Sequence, residues 1–118
     1  SYASSPPAEV VYADPPVTEA PTAVVTDTCF RQVEFAGILS GTQHRAASEA
    51  LIDFMLTPTF QEDLPLSMFV YPAVTSTVLP RVFIDHVDTP VAPHHLDPAT
   101  IGANRNMWTE RWTDLVLR

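Results

Sequence analysis

The clearest pattern of apolar and polar positions along this chain is a helical one between residues 42 and 56. Apolar side chains recur there at intervals of three and four residues, and polar side chains occupy the opposite side. This spacing predicts an amphipathic helix, whose apolar members are Ala47, Ala50, Leu51, Phe54 and Met55. Thr57 followed by Pro58 ends it and begins a short helix over residues 59–63, which Pro65 terminates.

Two further helices are predicted from their first residues. Ser4 and Ser5 precede Pro6, where a hydroxyl can accept free N–H groups of the first turn and proline is favoured. Asp97-Pro98 begins the last helix in the same way, with an acidic cap and a proline in the first turn. Its apolar stripe is expected to seal the end of the fold and comprises Ile101, Trp108, Trp112 and Leu115.

Several other segments have the pattern of extended chain. Residues 22–26 and 69–72 are rich in β-branched or aromatic side chains, and residues 78–87 are a third candidate. The stretch FRQVEFAG, residues 30–37, half alternates and is interpreted as a structural strand, with Arg31 and Glu34 as solvated or paired charges. Strands mixed with helices predict an α/β or α+β arrangement in a single domain.

Composition and charge exclude several classes of protein. Fourteen acidic residues face six arginines and no lysine, and the resulting charge of −8 argues against a nucleic-acid partner. The chain has twelve prolines but only three glycines, so it lacks a glycine-rich phosphate loop. No run of apolar residues is long enough to span a bilayer, and the opening SYASSPPAEV lacks the features of a signal peptide.

Catalytic and metal-ligating candidates are weak. His94-His95 lies near Asp97 and the Asp85-His86 pair, which supply ligand types suited to zinc, but adjacent histidines in extended chain point to opposite sides. The chain has one cysteine, Cys29, which has no local base and is interpreted as an inert thiol. Neither a metal site nor a catalytic residue is predicted.

Several motifs resemble a known family. They are SYASSP, CFRQVEFAG, the helix pair DFMLTPTFQEDLPL, the MFVYP segment and the ending LDPATIGANRNMWTERWTDLVLR. Together they look like the C-terminal portion of thiamine-binding substrate-binding proteins of ABC transporters, in the type II periplasmic binding-protein superfamily. The resemblance implies an α/β segment of a two-lobed protein, with a few strands flanked by helices. About residues 1–30 would belong to the second lobe and hinge, and about residues 31–118 would complete the first lobe.

The resemblance also implies which residues bind the ligand. Tyr2 matches a tyrosine that contacts thiamine in relatives, Phe69 falls where some relatives place a tryptophan, and Ala8 stands where they have a further tyrosine. Phe30 and Tyr71 are added because they lie at segment edges, where a cleft opens. Ser4 and Ser5 are expected to offer hydrogen-bond donors to a hydroxyl or phosphate of the ligand.

The expected function is therefore capture of thiamine or its phosphates, without catalysis and without a cofactor. The expected partners are the ABC-transporter permease and either the missing N-terminal part of the same protein or a second copy of the chain. The implied location is the periplasm or the cell surface, with a lipid anchor in a Gram-positive organism. Two alternatives remain: an Fe(III)-binding or other small-solute binding protein of the same superfamily, and a cysteine- or metal-dependent hydrolase fragment.

Overall fold

The computed structural model describes residues 2–117, which form five α-helices and one short 3₁₀-helix. In chain order they are α1 (Ser5–Val11), the 3₁₀-helix (Thr26–Thr28), α2 (Arg45–Met55), α3 (Pro58–Ser67), α4 (Arg81–His86) and α5 (Pro98–Val116). None of these helices is long and apolar enough to cross a membrane.

Three predicted helices are confirmed, and their local chemistry agrees with the prediction in part. The Asp97 carboxylate accepts a hydrogen bond from the Thr100 N–H at 3.0 Å, as expected of an acidic cap on α5. Arg45 and Glu49 form an ion pair at 2.7 Å along the exposed side of α2. At the start of α1, however, the Ser4 side chain makes no capping hydrogen bond, and prolines alone favour the helix there.

Helix α3 is longer than predicted. It continues through Pro65 to Ser67, although proline removes one intrahelical hydrogen bond and usually breaks a helix. The Pro65 ring is fully buried, so apolar burial offsets part of the lost backbone bond.

The expectation of an α/β segment with a few strands is wrong for residues 2–117. The structure is helical and has no sheet, and its two strand-like residues, Phe30 and His94, form one isolated parallel bridge. Residues 22–25, 31–39 and 69–72 are irregular. Residues 81–86, predicted as extended, form α4, which begins after Pro80 and carries an Arg81–Asp85 ion pair at 2.9 Å.

The physical reason is that a strand needs a neighbour. A β-branched run favours extended chain, but its N–H and C=O groups are satisfied only when a second strand pairs with them. In residues 2–117 that pairing is limited to the contact of Phe30 with His94, so the other extended candidates do not form strands, and residues 81–86 satisfy their backbone groups within a helix.

The small core lies where α1 packs against α4. Phe83 of α4 is 2% exposed, and Pro6 and Pro7 of α1 are fully buried. Short helices of six and seven residues are marginal by themselves, so this packing is what holds them.

Gln61 joins three elements through buried hydrogen bonds. Its side chain is in the interior, 4% exposed, and its amide Nε2 donates to the Met55 carbonyl at the end of α2 at 2.6 Å. Its Oε1 accepts from the N–H groups of Ala73 at 2.8 Å and Val74 at 3.1 Å. One side chain therefore ties α2, α3 and the turn after residue 72 together.

The molecule as a whole is open. Its radius of gyration is 18.0 Å, whereas a compact chain of this length has about 13–14 Å. Its accessible surface of 9583 Å² is about half as large again as the roughly 6,300 Å² typical of a globular protein of this mass. Helices α2 and α5 carry much of this surface, since neither contains a buried residue.

The Gln61 contacts predict a large effect of substitution there. Gln61→Ala leaves three backbone groups without their partner and should lower the free energy of unfolding by about 2–4 kcal/mol, measured by urea denaturation. Gln61→Glu keeps the acceptor but replaces the donor by a buried carboxylate oxygen facing the Met55 carbonyl, so it should also lower the free energy of unfolding. The matched control is Gln32→Ala, at an exposed position, and should change stability by less than about 0.5 kcal/mol. Equal changes in the free energy of unfolding at positions 32 and 61 would show that the Gln61 hydrogen bonds do not stabilise the fold.

Candidate functional site

Four aromatic rings form a row that runs from the surface to the core. Tyr12 lies 5.6 Å from Phe69, Phe69 stacks on Phe83 at 6.2 Å, and Tyr71 meets Phe83 edge to face at 5.8 Å. These separations lie in the favourable range for aromatic pairs. The row therefore brings two of the predicted site residues, Phe69 and Tyr71, onto the same buried ring of α4.

Phe69 has an unusual backbone conformation. Its φ angle of 52° lies in the left-handed region, where a residue with a bulky side chain is strained. Ring contacts on two sides, with Tyr12 and Phe83, hold the side chain of this half-buried residue in place. Strained residues of this kind are concentrated at ligand-binding positions.

The Tyr71 hydroxyl is buried and has no hydrogen-bond partner among residues 2–117. Burial raises the pKa of the Tyr71 phenol above its ordinary value of 10.0. The Thr89 side chain lies close enough to oppose part of this pKa increase, although not in hydrogen-bonding geometry, and a negative charge on Cys29 would add to it.

The predicted residues at the start of α1 lie in different environments. Tyr2 is 71% exposed, and its carbonyl accepts the Ser5 N–H at 3.0 Å. Ser4 is buried and Ser5 is half-buried. Because α1 packs on α4, these residues lie on the same helix pair that supports the aromatic row, but Tyr2 is not in ring contact with the row.

Phe30 lies at the isolated bridge and is 52% exposed. The Arg31 N–H donates to the His94 carbonyl at 2.8 Å, and the His94 N–H donates to the Cys29 carbonyl at 2.7 Å. Phe30 makes no ring contact with Phe69 or Tyr71 in the described part of the chain. The stretch 31–37 that follows it is exposed and irregular, so its interpretation as a strand is wrong.

Of the weak metal and nucleophile candidates, Cys29 and His94 lie together at the isolated bridge, whereas His86 lies at the end of α4. The His94 ring nitrogen Nε2 lies 3.0 Å from the Asp27 carbonyl, so this ring already has a backbone partner. Within residues 2–117, no three His, Cys, Asp or Glu side chains are grouped as metal ligands. The Cys29 thiol lies 3.8 Å from the Val25 carbonyl.

Two shallow cavities accompany these residues. One, of about 580 Å³, lies between the loop at residues 36–42 and α2, and its lining is largely apolar. The other, of about 330 Å³, lies between residues 18–22 and the end of α4 and includes Glu19, Asp85 and His86. Neither is lined by the residues that the sequence predicted for ligand binding.

Sequence reasoning missed Tyr12 and Phe83. The apolar pattern of residues 78–87 predicts extended chain, which gives no reason to place Phe83 beneath Phe69. Tyr12 follows α1 directly and lies four residues after Ala8, one helical turn away, with its N–H bonded to the Ala8 carbonyl at 3.0 Å. The spacing of Ala8 and Tyr12 can be read from the sequence, but the fold that brings Tyr12 to Phe69 cannot.

The Tyr71 environment predicts a pH dependence. Burial favours the neutral phenol, so the pKa of Tyr71 in the folded state exceeds its unfolded value of 10.0. The neutral phenol therefore contributes to the free energy of unfolding below pH 10, and this contribution is lost as the pH rises through the folded-state pKa. The free energy of unfolding should therefore fall more steeply above pH 10 in the wild type than in Tyr71→Phe, measured by urea denaturation at several pH values. Parallel curves for the two proteins would show that Tyr71 does not carry this dependence.

Comparison with known proteins identifies relatives. The chain is 28% identical over 89 residues to the thiamine-binding periplasmic protein of Escherichia coli (strain K12), and the match covers 75% of the chain but 27% of that relative. The protein of the same name from Salmonella typhimurium (strain LT2) matches with the same identity and coverage. No family model and no solved structure matches the chain.

The chain thus spans about a quarter of the length of the curated relatives it matches. A partial match of this kind fits the expectation that it corresponds to one portion of such a protein. The resemblance recognised in the motifs is confirmed: over three quarters of its length, this chain is similar to thiamine-binding periplasmic proteins.

Proposed function

We propose that this chain is part of a solute-binding protein that captures thiamine or a thiamine phosphate for import through an ABC-transporter permease, without catalysis. The observation that carries the proposal is its similarity to two proteins named for thiamine binding. The proposed location is the periplasm, or the outer surface of the cell with a lipid anchor.

The aromatic row supports this chemistry. Thiamine combines a flat aminopyrimidine with a permanently charged thiazolium ring, and aromatic faces attract such a cation by about 0.5–2 kcal/mol per contact. Phe69 and Tyr71 lie on a fixed aromatic support, and Tyr2 and Phe30 are exposed at segment edges. The formal charge of −8 also favours approach of a cationic ligand.

We further propose that six residues contribute one wall of the ligand site within a longer protein. They are Tyr2, Ser4, Ser5, Phe30, Phe69 and Tyr71. Residues up to about 30 would lie near the hinge, and the later residues would complete the first lobe. Ser5, half-buried at the start of α1, would face a polar group of the ligand, and Ser4, which is buried, would lie behind it. The rest of the site would come from polypeptide other than these 118 residues.

The exposed apolar surface supports this division. The accessible surface exceeds that of a compact protein by about 3,200 Å², whereas each partner in a standard interface loses about 800 Å². The exposed apolar side chains also lie on separate elements, including Phe35 in the irregular segment, Leu51 on α2 and Trp112 on α5. A second copy meeting one face would leave the others uncovered, so we favour coverage by additional polypeptide of the same protein.

Calorimetry with the intact protein that contains this chain tests the function. Saturable thiamine binding at micromolar concentration or below is expected, with no chemical conversion of thiamine after prolonged incubation. Phe69→Ala removes one aromatic face and should weaken thiamine binding by about 2- to 30-fold. The matched control, Phe35→Ala, changes an exposed phenylalanine outside the row and should leave the affinity unchanged. Absence of thiamine binding by the wild type would refute the proposed ligand.

Coverage of α5 is tested separately, by stability. If additional polypeptide buries Trp112, Trp112→Ala should lower the free energy of unfolding of the intact protein by about 3–5 kcal/mol in chemical denaturation. The neighbouring Arg111→Ala serves as the control and should change it by less than about 0.5 kcal/mol. A small effect of Trp112→Ala, together with a sedimentation profile showing that the 118-residue chain pairs with itself, would favour the second-copy alternative.

A further inference from the structure

We infer that Glu9 and Tyr12, together with Phe69, form the face that receives the positively charged ring of the ligand. The inference rests on the proposed function, because it takes thiamine as the ligand. Glu9 and Tyr12 are not among the six residues predicted from the sequence.

Tyr12 is the outer end of the aromatic row. It is 72% exposed, so most of its ring is available to a ligand. The Tyr12 ring contacts the Phe69 ring, with 5.6 Å between the ring centroids and 49° between the ring planes. Phe69 is in turn stacked on the buried ring of Phe83, with 25° between the planes. The exposed ring is therefore supported from behind by rings that cannot move freely, which lowers the entropic cost of using it as a binding surface.

Glu9 brings a negative charge to the same end of α1 as Tyr12. It precedes Tyr12 by three residues at the end of α1, and residues with that spacing are neighbours on a helix surface. The Thr22 hydroxyl donates to Glu9 Oε2 at 2.7 Å, which restrains the carboxylate. In the described residues the two ion pairs are Arg45–Glu49 and Arg81–Asp85, so no arginine neutralises the Glu9 charge.

These features match the chemistry of a flat organic cation. The face of a tyrosine ring carries a negative quadrupole that attracts a positive charge within about 6 Å, and a nearby carboxylate adds a direct electrostatic attraction. A neutral ring could stack on Tyr12 but would gain no charge attraction, and the Glu9 carboxylate would repel an anionic ligand. The thiazolium ring is the only permanently charged ring of thiamine, so we assign it to this face and leave the aminopyrimidine to the remainder of the site.

The test uses ring electronics at position 12, because a purely structural role would depend on ring size and not on charge distribution. Thiamine affinity of the intact protein is measured by calorimetry for the wild type, for Tyr12→Phe and for a protein with pentafluorophenylalanine at position 12. We expect Tyr12→Phe to remain within about 2-fold of the wild type. The fluorinated ring, whose face no longer attracts a cation, should weaken binding by about 2- to 30-fold.

Glu9→Gln provides an independent measurement. This variant keeps the size of the side chain but removes its charge, so it should bind thiamine at least about 3-fold more weakly at low salt. The difference from the wild type should shrink as sodium chloride is added, because Glu9 is only half-buried and salt screens a charge that remains accessible to water. Val11→Ala, a partly exposed neighbour on α1 outside the aromatic row, is the control and should leave both affinity and salt dependence unchanged.

The outcomes separate this inference from the proposed function. If the wild type binds thiamine but the fluorinated ring and Glu9→Gln bind it equally well, the assignment of this face is overturned while the proposed function stands. If the wild type does not bind thiamine, the proposed function fails and the assignment of the thiazolium ring fails with it. Thermal unfolding of each variant identifies any loss of affinity that comes from misfolding.

Discussion

The packing of Phe83 is the interaction on which the described structure depends. It holds α4 against α1 and supports both Phe69 and Tyr71, so one buried ring fixes the geometry of the whole aromatic row. Few other large side chains are buried, and Gln61 provides the second connection through hydrogen bonds between α2, α3 and the following turn. Elsewhere in the described chain, contacts between distant residues include the Phe30–His94 bridge and the Thr22–Glu9 hydrogen bond.

That constraint also gives the aromatic row a fixed geometry. The rigid part of the molecule presents aromatic faces and a restrained carboxylate, which are the groups that attract a flat cation. Of the titratable and nucleophilic candidates, Cys29 lies near Tyr71 at the isolated bridge, and the His94 ring is paired with the Asp27 carbonyl. The relatives that this chain resembles are named for binding thiamine, which contains a flat cationic ring.

The small size of the core also explains why the molecule is open. A core built around one phenylalanine cannot cover the apolar sides of α2 and α5, so Leu51 and Trp112 remain exposed. Apolar surface on this scale is usually covered in a functional protein. The predicted apolar stripe of α5 is thus present, but within residues 2–117 no other element buries it. The extended segments likewise lack neighbouring strands in the described residues.

The sequence by itself determined the local elements. Helical spacing located α2, and proline with an acidic cap located the start of α5, because both signals depend only on residues a few positions apart. The motifs also sufficed to recognise the relatives. Tertiary structure alone decided that residues 81–86 are helical, that Pro65 lies inside α3, and that Tyr12, Phe69 and Phe83 form one row. Strand pairing and ring packing join residues far apart in the chain, and no local pattern specifies which distant partner will be present.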